Sequence, residues 1–244
     1  FEANLTLDGA DGATLTLGSA HIAGDLGSGD PLAPLVWDIA GDVGSINAAN
    51  GTVDGWSLAL GSNITSLKLG QVSDALIDVA GQVGTLSSTQ WLAGGIHADS
   101  IQYLRSTGDT RAAIAGDFGA ELILDGTDDP DVTWSLKYAG IAGDLVSDAW
   151  RITGEVNKID APDAVIDGWS LELNAGIRSL KLGRVIDALV DVAGDIGSLS
   201  VQEWLAGSIH ADRITSLRTR GDTEKGVAGD FGAELILDGT DDPD

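Results

Sequence analysis

The sequence predicts an all-β chain, folded as a parallel β-solenoid (β-helix) of roughly 17–21-residue coils in two tandem units. Three observations predict it: a long internal repeat, a shorter apolar ladder inside it, and glycine and aspartate punctuation too dense for helices.

The long repeat comes first. Val53–Asp131 returns as Ile166–Asp244, offset by 113 residues, with about two-thirds of the positions identical. GWSL at Gly55–Leu58 recurs at Gly168–Leu171, and SLKLG at Ser66–Gly70 recurs at Ser179–Gly183. The run FGAELILDGTDDPD at Phe118–Asp131 recurs unchanged at Phe231–Asp244. The division this suggests is 1–131 for the first unit and 132–244 for the second, in one continuous solenoid.

The ladder lies within each unit. An apolar residue, two others, then Leu or Ile occurs at Val43/Ile46, Ile64/Leu67, Val83/Leu86 and Ile101/Leu104, and Phe118 continues the series. The steps from Val43 are 21, 19, 18 and 17, and the second unit repeats them from Val156. With a weaker coil around Trp134-Ser135-Leu136, six coils of about 19 residues would make one unit, and the chain would hold roughly thirteen. Val43, Ile64, Val83, Ile101 and Phe118 are then expected in register down one side of the core.

Each coil reads as strand. Leu5-Thr6-Leu7, Leu67-Lys68-Leu69 and Leu122-Ile123-Leu124 alternate with period two, as a half-buried strand does. Apolar-Ala-Gly triplets such as Val79-Ala80-Gly81 and Val192-Ala193-Gly194 precede many ladder positions, and Gly permits a sharp corner there. Gly or Pro interrupts nearly every stretch before three helical turns could form. The rival repeat, the leucine-rich one, fits Ile64–Leu69 but lacks its Asn, since Val72 and Val185 hold that place.

Short Gly-Asp coils within long tandem units resemble the β-helical stalks of bacterial cell-surface and adhesin-type tandem-repeat β-solenoid proteins. The resemblance covers the whole chain and implies an extracellular or cell-surface location. The calcium-binding nonapeptide of related solenoids is not met: Ala193–Leu199 lacks the paired glycines and the nine-residue step.

Composition narrows the function classes. A net charge of −25 with thirteen dispersed Lys and Arg excludes nucleic acid as a partner. With no Cys there are no disulfides and no thiolate-bound metals, and no apolar run is long enough to span a bilayer. The hydrophobic share of 43% suffices for a continuous core despite the charge. The chain opens at Phe1 without an initiator Met, which suggests a mature piece or an excised fragment. High acidity also fits a saline habitat.

Chemistry-bearing residues are few. His97 and His210 occupy one repeat position, each with an Asp two residues on (Asp99 and Asp212), a spacing loose for a hydrogen-bonded dyad on a strand. Paired carboxylates could serve a polysaccharide-active enzyme, but each candidate acid recurs in the second unit, whereas an enzyme needs one differentiated cleft. The chain is therefore expected not to be an enzyme. The acidic loop offers a metal site: Asp125, Asp128, Asp129 and Asp131, copied as Asp238, Asp241, Asp242 and Asp244, could supply hard oxygens to Ca²⁺. Seven Trp, of which Trp56/Trp169 and Trp91/Trp204 match across the units, read as core or corner residues, with sugar stacking as the alternative. The leading expectation is a structural extracellular protein, a rigid stalk or filament segment joined end to end to copies of itself or further repeat units. A calcium- or glycan-binding adhesin module is the alternative, and a β-helix polysaccharide-active enzyme is third.

Overall fold

The computed structural model describes residues 2–9, 15–28, 33–126, 132–146 and 149–239. Among these the chain is all-β, with fourteen strands from Leu5–Leu7 to Glu234–Leu237 in one sheet and no helix. Every pairing between named strands is parallel, so the chain returns to each neighbour in the same direction.

The longest elements are Val43–Leu60, Ile64–Ser88, Val156–Leu173 and Ile177–Thr219. Strands of this length cannot be straight, since ordinary ones hold about 3–10 residues. Register shifts mark where they bend: between Ala48 and Thr52, and again between Asp54 and Trp56. The second half bends at the matching places, between Ala161 and Val165 and between Asp167 and Trp169. Each pass thus has three segments, exemplified by Val43–Ala48, Thr52–Asp54 and Trp56–Leu60, and each pairs with its counterpart one pass later.

The alternation expected from the sequence sets what faces inward. Leu35–Ile39 buries Leu35, Trp37 and Ile39 and exposes Val36 and Asp38. Stacking aligns the inward residues: Leu5 lies opposite Trp37, Trp37 opposite Leu58, Leu58 opposite Ile77, and Ile77 opposite Ile96. The same column continues through Leu122, Trp150, Leu171 and Val190, then to Ile209 opposite Leu235. It has eleven members, so the chain makes about eleven passes and not thirteen.

The ladder is corrected at one rung. Val43 pairs with Ile64 and Val83 with Ile101, as expected. Ile101, however, pairs with Leu136, which in turn pairs with Val156. Phe118 belongs to a different column, bridging Trp91 on one side and Leu145 on the other. The physical reason is an excursion. Residues 107–116 leave the sheet and close on themselves through the antiparallel bridge Asp109–Ile114, which Asp222–Val227 copies. A 35-residue pass therefore separates Ile101 from Leu136, and 113 residues hold five passes, not six of about 19.

Close stacking explains two glycines. Gly94 and Gly207 sit at φ +104° and +103°, and a Cβ on either would fall on the carbonyl oxygen of Ala75 or Ala188 in the pass before. Only Gly allows both the dihedral and the approach. Beside them, Trp56 and Trp169 lie opposite Ala75 and Ala188, so a large side chain meets a small one.

Six of the seven Trp are buried, which places the repeated Trp in the core and removes them as sugar-stacking surfaces. Phe118, Trp150 and Trp169 pack edge to face, with centroids 5.6 Å apart at each step. Such contacts add to their area burial.

Burial predicts unequal responses to one substitution. Ile101 is fully buried, whereas its copy Ile214 is only half-buried at the edge of the core. Ile101→Asp should destabilise by more than ~3 kcal/mol, because an unpaired charge enters a dry column. Ile214→Asp should cost clearly less, and urea unfolding of both variants measures the difference.

Candidate functional site

The outward residues of the third segment form a charged column. Asp78 lies opposite His97 and His97 opposite Ile123, while Arg151 lies opposite both Ile123 and Glu172, and Glu172 opposite Asp191. Parallel pairing fixes these neighbours, so residues far apart in sequence meet.

His97 is gripped from both sides. Its Nε2 is 2.7 Å from Asp125 Oδ2 and its Nδ1 is 3.2 Å from Asp78 Oδ1. His210 repeats the arrangement, with 2.6 Å to Asp238 Oδ2 and 3.2 Å to Asp191 Oδ1. A neutral imidazole carries one N–H, so only the imidazolium can donate to both carboxylates. The hydrogen bond to Asp125 is the main cause raising the His97 pKa above its ordinary value, and Asp238 does the same for His210. The partners are therefore in neighbouring passes, not the Asp two residues on.

That grip defines what the arrangement can do. With both nitrogens bonded to carboxylates, the ring has no free lone pair to accept a proton from a substrate. It acts as a cationic clamp that ties the start of the acidic loop, at Asp125, to the strand carrying His97. Arg151 serves a parallel role, reaching Glu121 through Nη1 at 3.0 Å and Glu172 through Nε at 3.4 Å.

Of the expected calcium ligands, Asp125 and Asp238 are placed, and each gives its Oδ2 to a histidine. Asp128, Asp129, Asp131, Asp241, Asp242 and Asp244 lie outside the described residues. Asp125 also borders a polar hollow of ≈ 470 Å³, together with Asp99, Gly126, Thr133, Ser135 and Glu155. Among the described residues no group of three or more His, Asp or Glu converges with metal-ligand geometry. No family model, curated protein or solved structure matches the chain.

The histidine clamps missed by sequence reasoning had a legible trace. Once the pass length of 19 is known, Asp78 and Asp191 fall one pass before His97 and His210. Asp125 and Asp238 escape that arithmetic because the excursion at 107–116 lengthens the next pass.

The sign of the pH effect follows. A pKa raised on folding contributes stability that is complete below the unfolded value of about 6.5 and is lost as pH rises through the folded value. The melting temperature should therefore fall as pH rises from about 6.5, and His97→Gln with His210→Gln should flatten that slope. NMR titration of the two rings should give midpoints above the ordinary histidine value.

Proposed function

We propose that the chain is a parallel β-solenoid in two tandem units, 1–131 and 132–244, serving as a rigid spacer in an extracellular or cell-surface repeat protein. It resembles the β-helical stalks of bacterial surface and adhesin-type proteins in that role and performs no catalysis. Eleven passes spaced at about 4.8 Å would give a rod about 50 Å long. The matching bends and registers of the two halves support one repeated geometry.

The observation that carries the reading is the apolar last pass. Leu217, Leu235 and Leu237 are 41%, 40% and 46% exposed. Their counterparts Leu104, Leu122 and Leu124 are at most 1% exposed, because Ala139, Trp150 and Ile152 lie on them in the next pass. A further unit or a second copy stacking on this face would bury the same leucines, at ~1.5–3 kcal/mol for each one fully covered. A face of one kind meeting a face of another kind propagates into a filament.

Net charge of −25 opposes such stacking, and salt screens it. Small-angle scattering should show particles that lengthen with protein concentration at high ionic strength, without thickening. Leu235→Asp with Leu237→Asp should hold the chain monomeric. A monomer at every salt and concentration, with the leucines unchanged, would sink the reading.

A second reading is favoured by the hollow beside Asp125, where Asp99 and Glu155 add carboxylates next to the acidic loop. Calcium would bind there and relieve local repulsion. Millimolar calcium should then raise the melting temperature and EDTA should reverse the rise. No shift in low-salt buffer would remove calcium from the account.

A further inference from the structure

The two halves share their core but differ on one outward strip. Ile46 and Ala48 recur as Ile159 and Ala161, 113 residues on. Between and beyond them, Ser45, Asn47, Ala49 and Asn50 become Lys158, Asp160, Pro162 and Asp163. Likewise Tyr103 becomes Ser216 in the second half. A strip that varies while its backbone repeats is free of the constraint that repeats the rest.

The protein's only two tyrosines meet on that strip. Tyr138 lies opposite Tyr103 in the parallel register. The Arg105 guanidinium stands 5.7 Å from one ring centroid and 5.6 Å from the other. Lys137 stands 5.4 Å from Tyr103 and Lys158 5.7 Å from Tyr138. The rings hold three cations together, which water alone would let drift apart.

A notch opens beside them. Arg105 lies opposite Gly140, and Gly140 opposite Asp160, so one place in the column has no side chain. A Cβ at Gly140 would meet the Tyr138 ring at 2.7 Å, so the ring lies across the glycine. The resulting groove, ≈ 530 Å³, is lined by Arg105, Tyr138, Gly140, Asp160, Pro162 and Asp163.

Its charge is unusual for this molecule. Asp160 is already matched by Lys158 at 2.7 Å and faced by Lys181 at 3.8 Å. Asp163 is held by Lys225 at 2.8 Å. Arg105 and Lys137 make no ion pair among the described residues, so positive charge is in surplus here, in a chain of net −25.

We propose that this groove binds an acidic sugar, a uronate unit of an oligosaccharide. Its carboxylate takes Arg105, where a charge-assisted, two-pronged bond is available. Its hydroxyls donate to Asp160 and Asp163, and its C–H face rests on Tyr138 and Pro162. A bare phosphate or sulfate would use the cations and be repelled by the two aspartates. A nucleic acid would meet the acidic surface on every side. A sugar acid uses every group present. The site does not depend on end-to-end stacking, since the strip lies along the side of the sheet.

Calorimetry on the purified chain in low salt tests it, with a galacturonic acid trisaccharide, the neutral galactose trisaccharide and inorganic sulfate as probes. The uronate should bind, and the neutral sugar should bind at least about tenfold more weakly, for loss of a charged hydrogen bond. Arg105→Gln, at an exposed position, should weaken the uronate by a similar factor while leaving the melting temperature unchanged. Gly140→Val, which fills the notch, should abolish binding. Absence of heat with the uronate overturns the proposal, as does equal affinity for sulfate. Binding that survives Arg105→Gln unchanged also overturns it.

Discussion

Parallel neighbours about 4.8 Å apart place every side chain directly against one from the next pass. That spacing leaves no freedom to offset unlike groups, so the chemistry of each column must suit itself. Apolar columns satisfy the rule without cost, and the stack running from Leu5 through Trp37 and Leu58 to Leu235 is the result. Large residues satisfy it only when relieved by small ones, as where Trp56 meets Ala75 and then Gly94.

Acidic columns are the difficult case. Asp54 lies opposite Asp74, Asp167 opposite Asp187, and Glu172 opposite Asp191, so like charges meet in register. Mutual repulsion at this distance destabilises the pairing unless a cation intervenes. The scarce basic residues stand at such places. His97 separates Asp78 from Asp125, His210 separates Asp191 from Asp238, and Arg151 joins Glu121 to Glu172. These pairs are exposed, so each contributes little by itself. Their value is in holding the ladder's register against the field of the whole chain.

The parity of the strands and the inward residues were legible because alternation and a fixed pass length are local properties. Val43, Ile64, Val83 and Ile101 obeyed simple counting since short corners join their passes. Counting failed at Phe118, because an apolar-x-x-apolar motif serves more than one column and spacing alone cannot say which. The self-closing excursion at 107–116 added residues without adding a layer. The histidine clamps were hidden for a related reason: their carboxylates come from adjacent passes, so the nearest Asp in sequence, Asp99, misled. The groove over Gly140 was less legible still, since it depends on a missing side chain facing Tyr138 across the register.

One geometry thus separates two kinds of residue. Where a side chain points inward, its counterpart 113 residues on is retained or replaced by a close equivalent, as Val53 is by Ile166 and Val83 by Ile196. Core volume admits only such small exchanges. Where a side chain points outward, the backbone ladder is indifferent to it, provided that like charges are separated. Surface strips can therefore diverge at almost no cost to the stack, and a repeated scaffold can carry an unrepeated site. The strip around Tyr103, Arg105 and Tyr138 is where this chain uses that freedom. There the acidic field is reversed by residues whose opposite numbers, Ser45, Asn47 and Asn50, are neutral. Rigidity and recognition need not compete in such a molecule, because the core columns hold the shape and the outward columns are left to meet other molecules.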